Sequence, residues 1–376
     1  MNKRLKFLLL FFLLFFLASC AKEPTLNVAS ERAEHFSLDY FDGYKILSIR
    51  EAWNGDLEKH RWLLLDSAFK EHELHDSLKK MPIIHIPVKN VVILSTTAIA
   101  FMERLDLLDK IIAIENRNLI YSEKMQNLID SLSIKQVGSG NKLDLETILI
   151  LKPALVLTFG TGSSLYDDYP RFKTAEIPAV LTAEWMESHP LARFEWIRFF
   201  GVLFGKEREA DSIFAETQKR YDSLVQLALN AAKKPLVLTG YPQGAEWLAG
   251  GGGSYFARFL QDAKAKYIWE SNTQSGTLTL GIETALQSGG QAEFWLHPSL
   301  WTSKAEILQH EPRISMLPLW QSGRIYQSSK RVGKNGSRDF YESAVANPDL
   351  VLADLISIFH PEILPEHDFV YYEIVE

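Results

Sequence analysis

The residues best suited to ligand chemistry are aromatic and cationic side chains that follow predicted β-strands. They are Arg117, Trp185, Tyr241, Trp247, Trp301, Arg331, Arg338 and Tyr341. In an open α/β sheet, ligands bind beyond the carboxyl ends of the strands, where these residues stand in the sequence. Aromatic rings wall the sites of large flat ligands, and arginines contact their anionic groups. Taken singly, a tryptophan is more often a core residue, and the cationic run 329–338 is also typical of a solvated loop.

No residue pattern indicates catalysis or a resident cofactor. The sequence contains no recognisable Ser-His-Asp set, nucleophile elbow or acid–base pair. The four glycines at 250–253 lack the Lys-Ser or Lys-Thr that completes a phosphate-binding loop. His72 and His75 share one face of a predicted helix, but no further metal ligand can be assigned. We therefore predict a binding protein rather than an enzyme, with no metal site and no intrinsic cofactor.

The elements that position these side chains alternate between short strands and helices. Strands are predicted at 91–94, 111–114, 154–158, 179–181, 236–238, 294–296 and 325–326. This alternation is typical of α/β folds with parallel sheets. Between the two series, apolar residues recur in steps of three and four over 206–232. A helix of that length, roughly 40 Å, spans more than one lobe, so two α/β halves joined by one long helix are predicted.

The N-terminus reads as an export signal. Lys3, Arg4 and Lys6 precede an apolar run over 7–17, which is too short to span a membrane. Leu17-Ala18-Ser19 then leads to Cys20, the only cysteine in the chain. This arrangement resembles a bacterial lipoprotein signal, in which the cysteine is acylated and becomes the new N-terminus. The sequence therefore predicts a protein of the periplasm or cell envelope, lipid-anchored to a membrane through Cys20; an ordinary secretory signal is the alternative.

The composition is that of a soluble globular protein. The 376 residues are 47% hydrophobic and 23% charged, which suffices for one or two well-filled cores. The formal net charge is −7, and no basic block occurs beyond the N-terminus. Nucleic acid is therefore not an expected partner.

Six segments are predicted. They are a signal peptide at 1–20, a tether at 21–34, a β-rich extension at 35–88, a first α/β lobe at 89–188, the linking long helix at 189–233, and a second α/β lobe at 234–376. The extension begins with alternating residues around Asp42-Gly43, which indicates a β-hairpin, and contains a charged helical insert over 71–80.

Several segments resemble the substrate-binding proteins of ABC importers for iron complexes and vitamin B12. They are 92–97, 111–114, 137–138, 143–149 and 151–157, where the last ends in Lys-Pro-Ala-Leu-Val-Leu. The resemblance covers about 91–364 and is weaker in the second lobe. It implies the helical-backbone, class III form of the periplasmic binding protein: two Rossmann-like lobes joined by one long rigid helix, with the ligand held between them.

The resemblance also implies a function. Such a protein captures an iron chelate, either a ferric siderophore or haem, and delivers it to an ABC permease and its ATPase, and we expect it to be a monomer. Glu146 and Glu283 match the two glutamates that dock into arginine pockets of the permease, although each could simply complement a helix N-terminus. A cobalamin or corrinoid cargo remains the main alternative, and a chelatase-like enzyme on the same lobes is a further one.

Overall fold

The N-terminal extension is a four-stranded sheet that packs on the first lobe. The computed structural model describes residues 31–139, 142–163 and 165–376. The strands are β1 (Phe36–Phe41), β2 (Tyr44–Arg50), β3 (Lys59–Asp66) and β4 (Ile83–Ile86), in the order β1-β2-β3-β4. Gly43 has φ +83°, as the tight turn between β1 and β2 requires, so the predicted hairpin is confirmed. Phe36 joins this sheet to the lobe through an edge-on contact with Trp196, at a centroid distance of 4.9 Å.

The first lobe is built on a parallel sheet. Its elements are β5 (Val91–Ile93), α1 (Thr96–Arg104), β6 (Ile111–Ile114), α2 (Glu123–Ser131), β7 (Lys135–Gln136), β8 (Gly138–Ser139), β9 (Lys142–Leu143), α3 (Leu145–Leu151), β10 (Leu155–Phe159), α4 (Tyr169–Thr174) and β11 (Ala179–Thr182). Five strands form the sheet in the order β11-β10-β5-β6-β7, with every pairing parallel. The carboxyl ends of these strands therefore share one edge of the sheet.

Two helices join the lobes. The first, α5 (Pro190–Phe204), is almost wholly buried and ends at Gly205, which has φ +69°. The second is α6 (Glu207–Ala228). Along α6, Ala210 and Phe214 pack in the core of the first lobe, while Tyr221 and Ala228 pack in that of the second. The predicted stripe and its role in spanning both lobes are confirmed. The segment predicted as one linking helix at 189–233 is instead two helices, because the chain turns at Gly205, and α6 itself has 22 residues, or about 33 Å.

The second lobe repeats the α/β plan around its own parallel sheet. Its elements are β12 (Leu236–Thr239), β13 (Tyr241–Gln243), β14 (Glu246–Gly250), α7 (Tyr255–Asp262), β15 (Lys266–Tyr267), β16 (Thr277–Gly281), α8 (Ile282–Gly289), β17 (Phe294–Leu296), α9 (Lys304–His310), α10 (Pro318–Ser322), β18 (Ile325–Gln327), α11 (Pro348–Phe359) and β19 (Glu373–Ile374). The sheet order is β15-β12-β17-β18-β19, with only β19 antiparallel. A separate antiparallel sheet, β13-β14-β16, covers one end of this lobe.

Two predicted segments differ in the structure. The insert over 71–80 is not an α-helix: only Glu71–Glu73 forms a 3₁₀ turn, and bends follow it. Its apolar residues are too few to bury a helical stripe, because Leu74 is its one fully buried hydrophobic side chain. The described end of the predicted tether is also not free, since the backbone N–H groups of residues 31–35 donate to the buried carboxylates of Glu187 and Glu195.

The N-terminal signal lies outside the described residues, and so does Cys20. Within the described ranges, none of the helices combines the length and apolar character needed to cross a membrane.

Candidate ligand-binding cleft

A cavity of about 170 Å³ lies where the two lobes meet the joining helices. Its lining residues come from the first lobe, from α5, from α7 and from the chain around α11. They are Thr97, Pro190, Arg193, Tyr255, Phe259, Phe340, Tyr341, Ala344, Val345, Pro348 and Val351. We call this space the interlobe cavity. Ligand pockets for small molecules are usually about 300–1,000 Å³, so in this conformation it accommodates part of such a ligand rather than all of it.

Arg193 is the only cation among the residues that line the interlobe cavity. It lies in the first turn of α5, and its Nε donates to the main-chain oxygen of Glu184 at 3.1 Å. Its guanidinium carbon lies 4.0 Å from the centroid of the Tyr255 ring, which belongs to the second lobe. The side chain is therefore held between a first-lobe carbonyl and a second-lobe aromatic ring.

Thr97 connects the cavity to a buried carboxylate. Its hydroxyl donates to Glu184 Oε1 at 2.6 Å, and Ser95 Oγ lies 2.7 Å from the same hydroxyl. Glu184 is buried, and its Oε2 finds no hydrogen-bond partner among the described residues. Glu184 itself does not line the cavity, because Thr97 stands between the two.

Tyr341 and Arg338 are the predicted ligand residues that lie nearest this space. Tyr341 lines the cavity while remaining half exposed, and burial raises the pKa of its hydroxyl, with Tyr255 and Tyr241 contributing. Arg338 Nη2 donates to the main-chain oxygen of Leu300 at 2.7 Å, whereas its Nη1 is buried without a partner among the described residues. Tyr241 is half-buried at the start of β13. These three side chains therefore form one group on the second-lobe side of the cleft.

His297 lies beside this group but is not a free ligand. It follows β17 with φ +61°, and its Nε2 is 2.7 Å from the Tyr372 hydroxyl. Phe256 and Phe340 pack against its ring at centroid distances of 4.8 and 5.2 Å. Burial, with a smaller effect of Arg338, lowers its pKa to about 3. The imidazole is therefore neutral at physiological pH and serves the packing of the strand end.

Exposed apolar side chains follow the carboxyl ends of the strands on both lobes. They are Phe159 at the end of β10, Leu165 and Tyr166 after it, Trp185 after β11, and Leu300 after β17. Exposed apolar side chains at the ligand-binding edge of a sheet are candidates for contact with a ligand or partner. We call these five residues the apolar rim. Trp185 belongs to the predicted ligand set, and the others were not predicted individually.

Two predicted aromatic ligands lie elsewhere. Trp247 is wholly buried: it packs on Trp295 at a centroid distance of 5.5 Å, and its Nε1 donates to the main-chain oxygen of Thr239 at 2.9 Å. The segment predicted as a loop is the hairpin β13–β14, and Trp247 is on its inward face. Trp301 stacks on His310 at 4.6 Å and packs against the second-lobe core. The prediction that Trp247 forms a cleft wall is therefore wrong, and Trp301 is engaged in packing.

Two predicted cationic ligands already have partners. The Arg117 guanidinium is ion-paired with Asp130 on α2, with Nη2 3.1 Å from Oδ1. Arg331 Nε lies 3.0 Å from Asp339 Oδ2, and its guanidinium covers the Tyr121 ring at 5.2 Å. Neither residue lines the interlobe cavity. The structure thus gives Arg331 a role in contact between the lobes rather than in an open cationic loop.

The segment 331–347 crosses from the second lobe to the first. Asn335 Nδ2 donates to the main-chain oxygen of Ile120 at 3.1 Å, and Glu342 accepts the backbone N–H groups of Tyr121 and Ser122. The Thr96 hydroxyl also donates to the main-chain oxygen of Tyr341 at 3.3 Å. We call 331–347 the crossover segment. It holds the lobes together on the side that carries Tyr341 and Arg338.

The family model of the periplasmic binding proteins matches residues 91–332. The chain belongs to the periplasmic binding protein family. An uncharacterized lipoprotein of Methanocaldococcus jannaschii is 22% identical over 362 residues, which cover 90% of this chain and 84% of the relative. The family match agrees with the two-lobed fold.

Solved structures are similar in fold at low sequence identity. A periplasmic binding protein from Veillonella parvula has a TM-score of 0.62 and 13% identity, covering 85% of this chain and 99% of that one. A periplasmic heme binding protein from Pseudomonas aeruginosa has a TM-score of 0.55 and 15% identity, covering 77% of this chain and 98% of that one. At these identities the similarity shows the fold alone, and it confirms the predicted α/β class with two lobes.

The two predicted docking glutamates of this periplasmic binding protein occupy equivalent places. Glu146 lies in the first turn of α3 and Glu283 in the first turn of α8, and both are exposed. Their surroundings differ. Glu146 forms no ion pair with any described cation, whereas Glu283 Oε1 lies 2.7 Å from Arg313 Nη1. Arg313 also binds Glu311 at 2.7 Å, so it holds two carboxylates at once.

Sequence reasoning missed Arg193 and Tyr255, which hold the centre of the binding protein's cleft. One signal was present: α5 is otherwise apolar but carries Arg193, Glu195 and Arg198. Charged residues inside a helix with buried faces generally have a partner or a function. Among the described residues, no group of three or more His, Cys, Asp or Glu is arranged to hold a metal ion.

Proposed function

We propose that this chain is the substrate-binding protein of an ABC importer, which captures an iron chelate in the interlobe cleft and delivers it to the permease. The cargo class is a ferric siderophore or haem. The observation that carries the proposal is the interlobe cavity, which both lobes and α5 share, and the apolar rim supplies further exposed apolar side chains at the strand ends. A large flat chelate needs such apolar area together with a few charged contacts, here Arg193 and Arg338. The heme binding by the Pseudomonas aeruginosa protein of the same fold supports this cargo class.

The cargo is tested by titrating the purified protein with haem, cyanocobalamin and a panel of ferric siderophores. Trp185 belongs to the apolar rim, so its fluorescence should be quenched by a bound chromophore. We expect saturable quenching by haem or one ferric siderophore, together with a rise in melting temperature. A Trp185→Phe variant should lose the quenching that depends on Trp185, whereas the signal lost through light absorption by the chromophore remains. Binding of cyanocobalamin alone would replace the iron chelate with a corrinoid, and binding of none would contradict the proposal.

Delivery to a permease is tested with Glu146→Ala and Glu283→Ala. Exposed carboxylates on rigid helix starts can be bound bidentately by arginines of a partner. We expect both variants to keep the chelate affinity of the wild type and to lower uptake in vesicles that contain the permease and its ATPase. Glu293→Ala, which removes an exposed carboxylate of the second lobe, is the matched control. Unchanged uptake in both variants would contradict the docking role.

Arg313 makes a second, finer test of docking. A permease arginine that binds Glu283 must replace Arg313, and an exposed ion pair of this kind contributes little free energy. Arg313→Gln should therefore strengthen docking by a small factor. The change should vanish in the Glu283→Ala background. Weaker docking in the single variant would show that Arg313 itself contacts the permease.

We also propose that Cys20 carries a lipid anchor. Glu31 is the first described residue held on α5, and the eleven positions from Cys20 to Glu31 span at most about 40 Å. Such an anchor would keep the joining helices close to the membrane surface. Cys20→Ser should move the exported protein from the membrane fraction to the soluble fraction. Unchanged membrane association would contradict lipidation.

A further inference from the structure

The free donors of Arg193 face a cavity of limited size. Its Nε is occupied by the main-chain oxygen of Glu184, which leaves the end of the guanidinium that carries Nη1 and Nη2. The described residues supply no hydrogen-bond acceptor to either of these nitrogens, and Arg193 forms no ion pair with a described carboxylate. Arg198 and Arg331, which are also partly buried, each have a carboxylate within 3.0 Å. Arg193 is therefore a positioned cation without a counter-ion among the residues that the structure describes.

The orientation of the guanidinium suits one kind of anion. The centroid of the Tyr255 ring lies 4.0 Å from its central carbon, and the Nε donates to the main-chain oxygen of Glu184, so two contacts restrain the group. A planar fork of two parallel N–H groups matches the two oxygens of a carboxylate. The remaining walls near it are the rings of Phe259, Phe340 and Tyr341, which can take the carbon chain that carries the carboxylate.

The size of the interlobe cavity limits the occupant to an arm of the ligand. A volume of about 170 Å³ is below the usual range for an entire small-molecule ligand. The metal-bearing body of a chelate must then lie outside this cavity. A carboxylate at the end of a short aliphatic arm would reach Arg193 from that position. A neutral hydroxamate chelate has no such group to offer.

We infer that the interlobe cavity is a subsite for a pendant carboxylate of the cargo, with Arg193 as its anion contact. This inference rests on the proposed function and narrows it, because it selects chelates with a free carboxylate arm over chelates without one. Tyr255 contacts the Arg193 guanidinium from the second lobe. Arg338, by contrast, donates to Leu300 and contributes to the second-lobe side of the cleft.

The test compares ferric haem with its dimethyl ester, which is the same chelate without free carboxylates. Both are titrated into the wild type, Arg193→Gln and Arg193→Lys, together with ferric complexes of a carboxylate siderophore and a hydroxamate siderophore. We expect the wild type to bind the carboxylate-bearing member of a pair at least about tenfold more tightly, as for a charged hydrogen-bonded contact. Arg193→Gln should abolish this ratio, and Arg193→Lys should restore only part of it.

The ratio separates binding of the arm from a structural role of Arg193. If Arg193 only clamps the lobes together, Arg193→Gln weakens both members of each pair alike and the ratio stays, which overturns the inference. Arg171→Gln, which removes an exposed arginine paired with Asp168, is the control and should change neither affinity. A wild type that binds chelates without preferring the free acid overturns this inference alone. A folded wild type that binds no chelate overturns the proposed function as well.

Discussion

The Glu342 carboxylate of the crossover segment accepts the backbone N–H of Tyr121, in the first lobe, at 2.7 Å. It also accepts the N–H of Ser122 at 3.0 Å, which places it at the N-terminus of α2. The helix dipole favours a negative charge there, while burial opposes it. This contact and the stacking of Arg331 on Tyr121 connect lobes that α6 also joins. Opening of the cleft on this side must therefore break a buried polar contact.

Glu342 should make stability depend on pH. Burial, with Asp339 and Glu103 nearby, raises its pKa from 4.5 to about 7. The folded protein therefore binds the proton of the Glu342 carboxyl group more tightly than the unfolded chain does. The stability that this protonation contributes is complete below about pH 4.5 and is lost as the pH rises through about 7. Relative to Glu342→Gln, the wild type should lose up to about 3 kcal/mol of unfolding free energy between pH 4.5 and 8. Urea unfolding across this range measures it, and parallel pH profiles for the two proteins would contradict the assignment.

Glu195 should fix the start of the described chain on α5. Its wholly buried carboxylate accepts the N–H groups of Glu31, Arg32 and Ala33 at 2.7–2.8 Å and pairs with Arg198. Glu195→Ala removes this buried acceptor and should cost about 3–5 kcal/mol, with faster hydrogen exchange at 31–33.

Asp211 provides the matched control for that experiment. It pairs with the same Arg198 at 2.9 Å but is exposed, so Asp211→Ala should cost about 0–1 kcal/mol. Similar losses for the two variants would show that the buried contacts to the N-terminal segment contribute little.

Substitutions of Trp247 and Trp185 should have different effects, the first on stability and the second on chelate binding. Trp247 is wholly buried against Trp295, so Trp247→Ala should cost about 3–5 kcal/mol in unfolding free energy. Trp185 is 36% exposed on the apolar rim, so Trp185→Ala should change stability by less than about 0.5 kcal/mol while weakening chelate binding. Chemical unfolding and ligand titration of both variants test this. If Trp247→Ala kept the stability of the wild type but bound the chelate more weakly, Trp247 would be a ligand contact after all.

Gly160 should connect the N-terminal extension to the apolar rim. A Cβ at this position would lie 2.2 Å from Trp53 Cε3, so the Trp53 ring packs directly under the loop that follows Phe159. Gly160→Ala should cost about 1–3 kcal/mol through overpacking, and adding Trp53→Ala should recover part of that loss. Gly276→Ala meets nothing within 4 Å and is the control. Equal melting temperatures for Gly160→Ala and Gly276→Ala would contradict the prediction, because the Trp53 ring would then move aside without loss of stability.

The amino-acid pattern alone predicts the strands and their broad arrangement. The strand β6 occupies the predicted residues 111–114, and the hairpin at Gly43 also agrees. These features depend on turn residues and apolar periodicity, which are local along the chain. Glu146 and Glu283, which the resemblance paired, lie in the first turns of α3 and α8.

The side chains that meet in the cleft depend on the tertiary fold. Arg331 packs on Tyr121, 210 positions away, while Arg193 faces the interlobe cavity. Trp247 is buried because it lies on the inward face of the β13–β14 hairpin. Tyr341 is half exposed because the crossover segment places it at the cavity. Periodicity along the sequence indicates that a face is buried, but the partner of that face depends on contacts between distant segments, which no local pattern records.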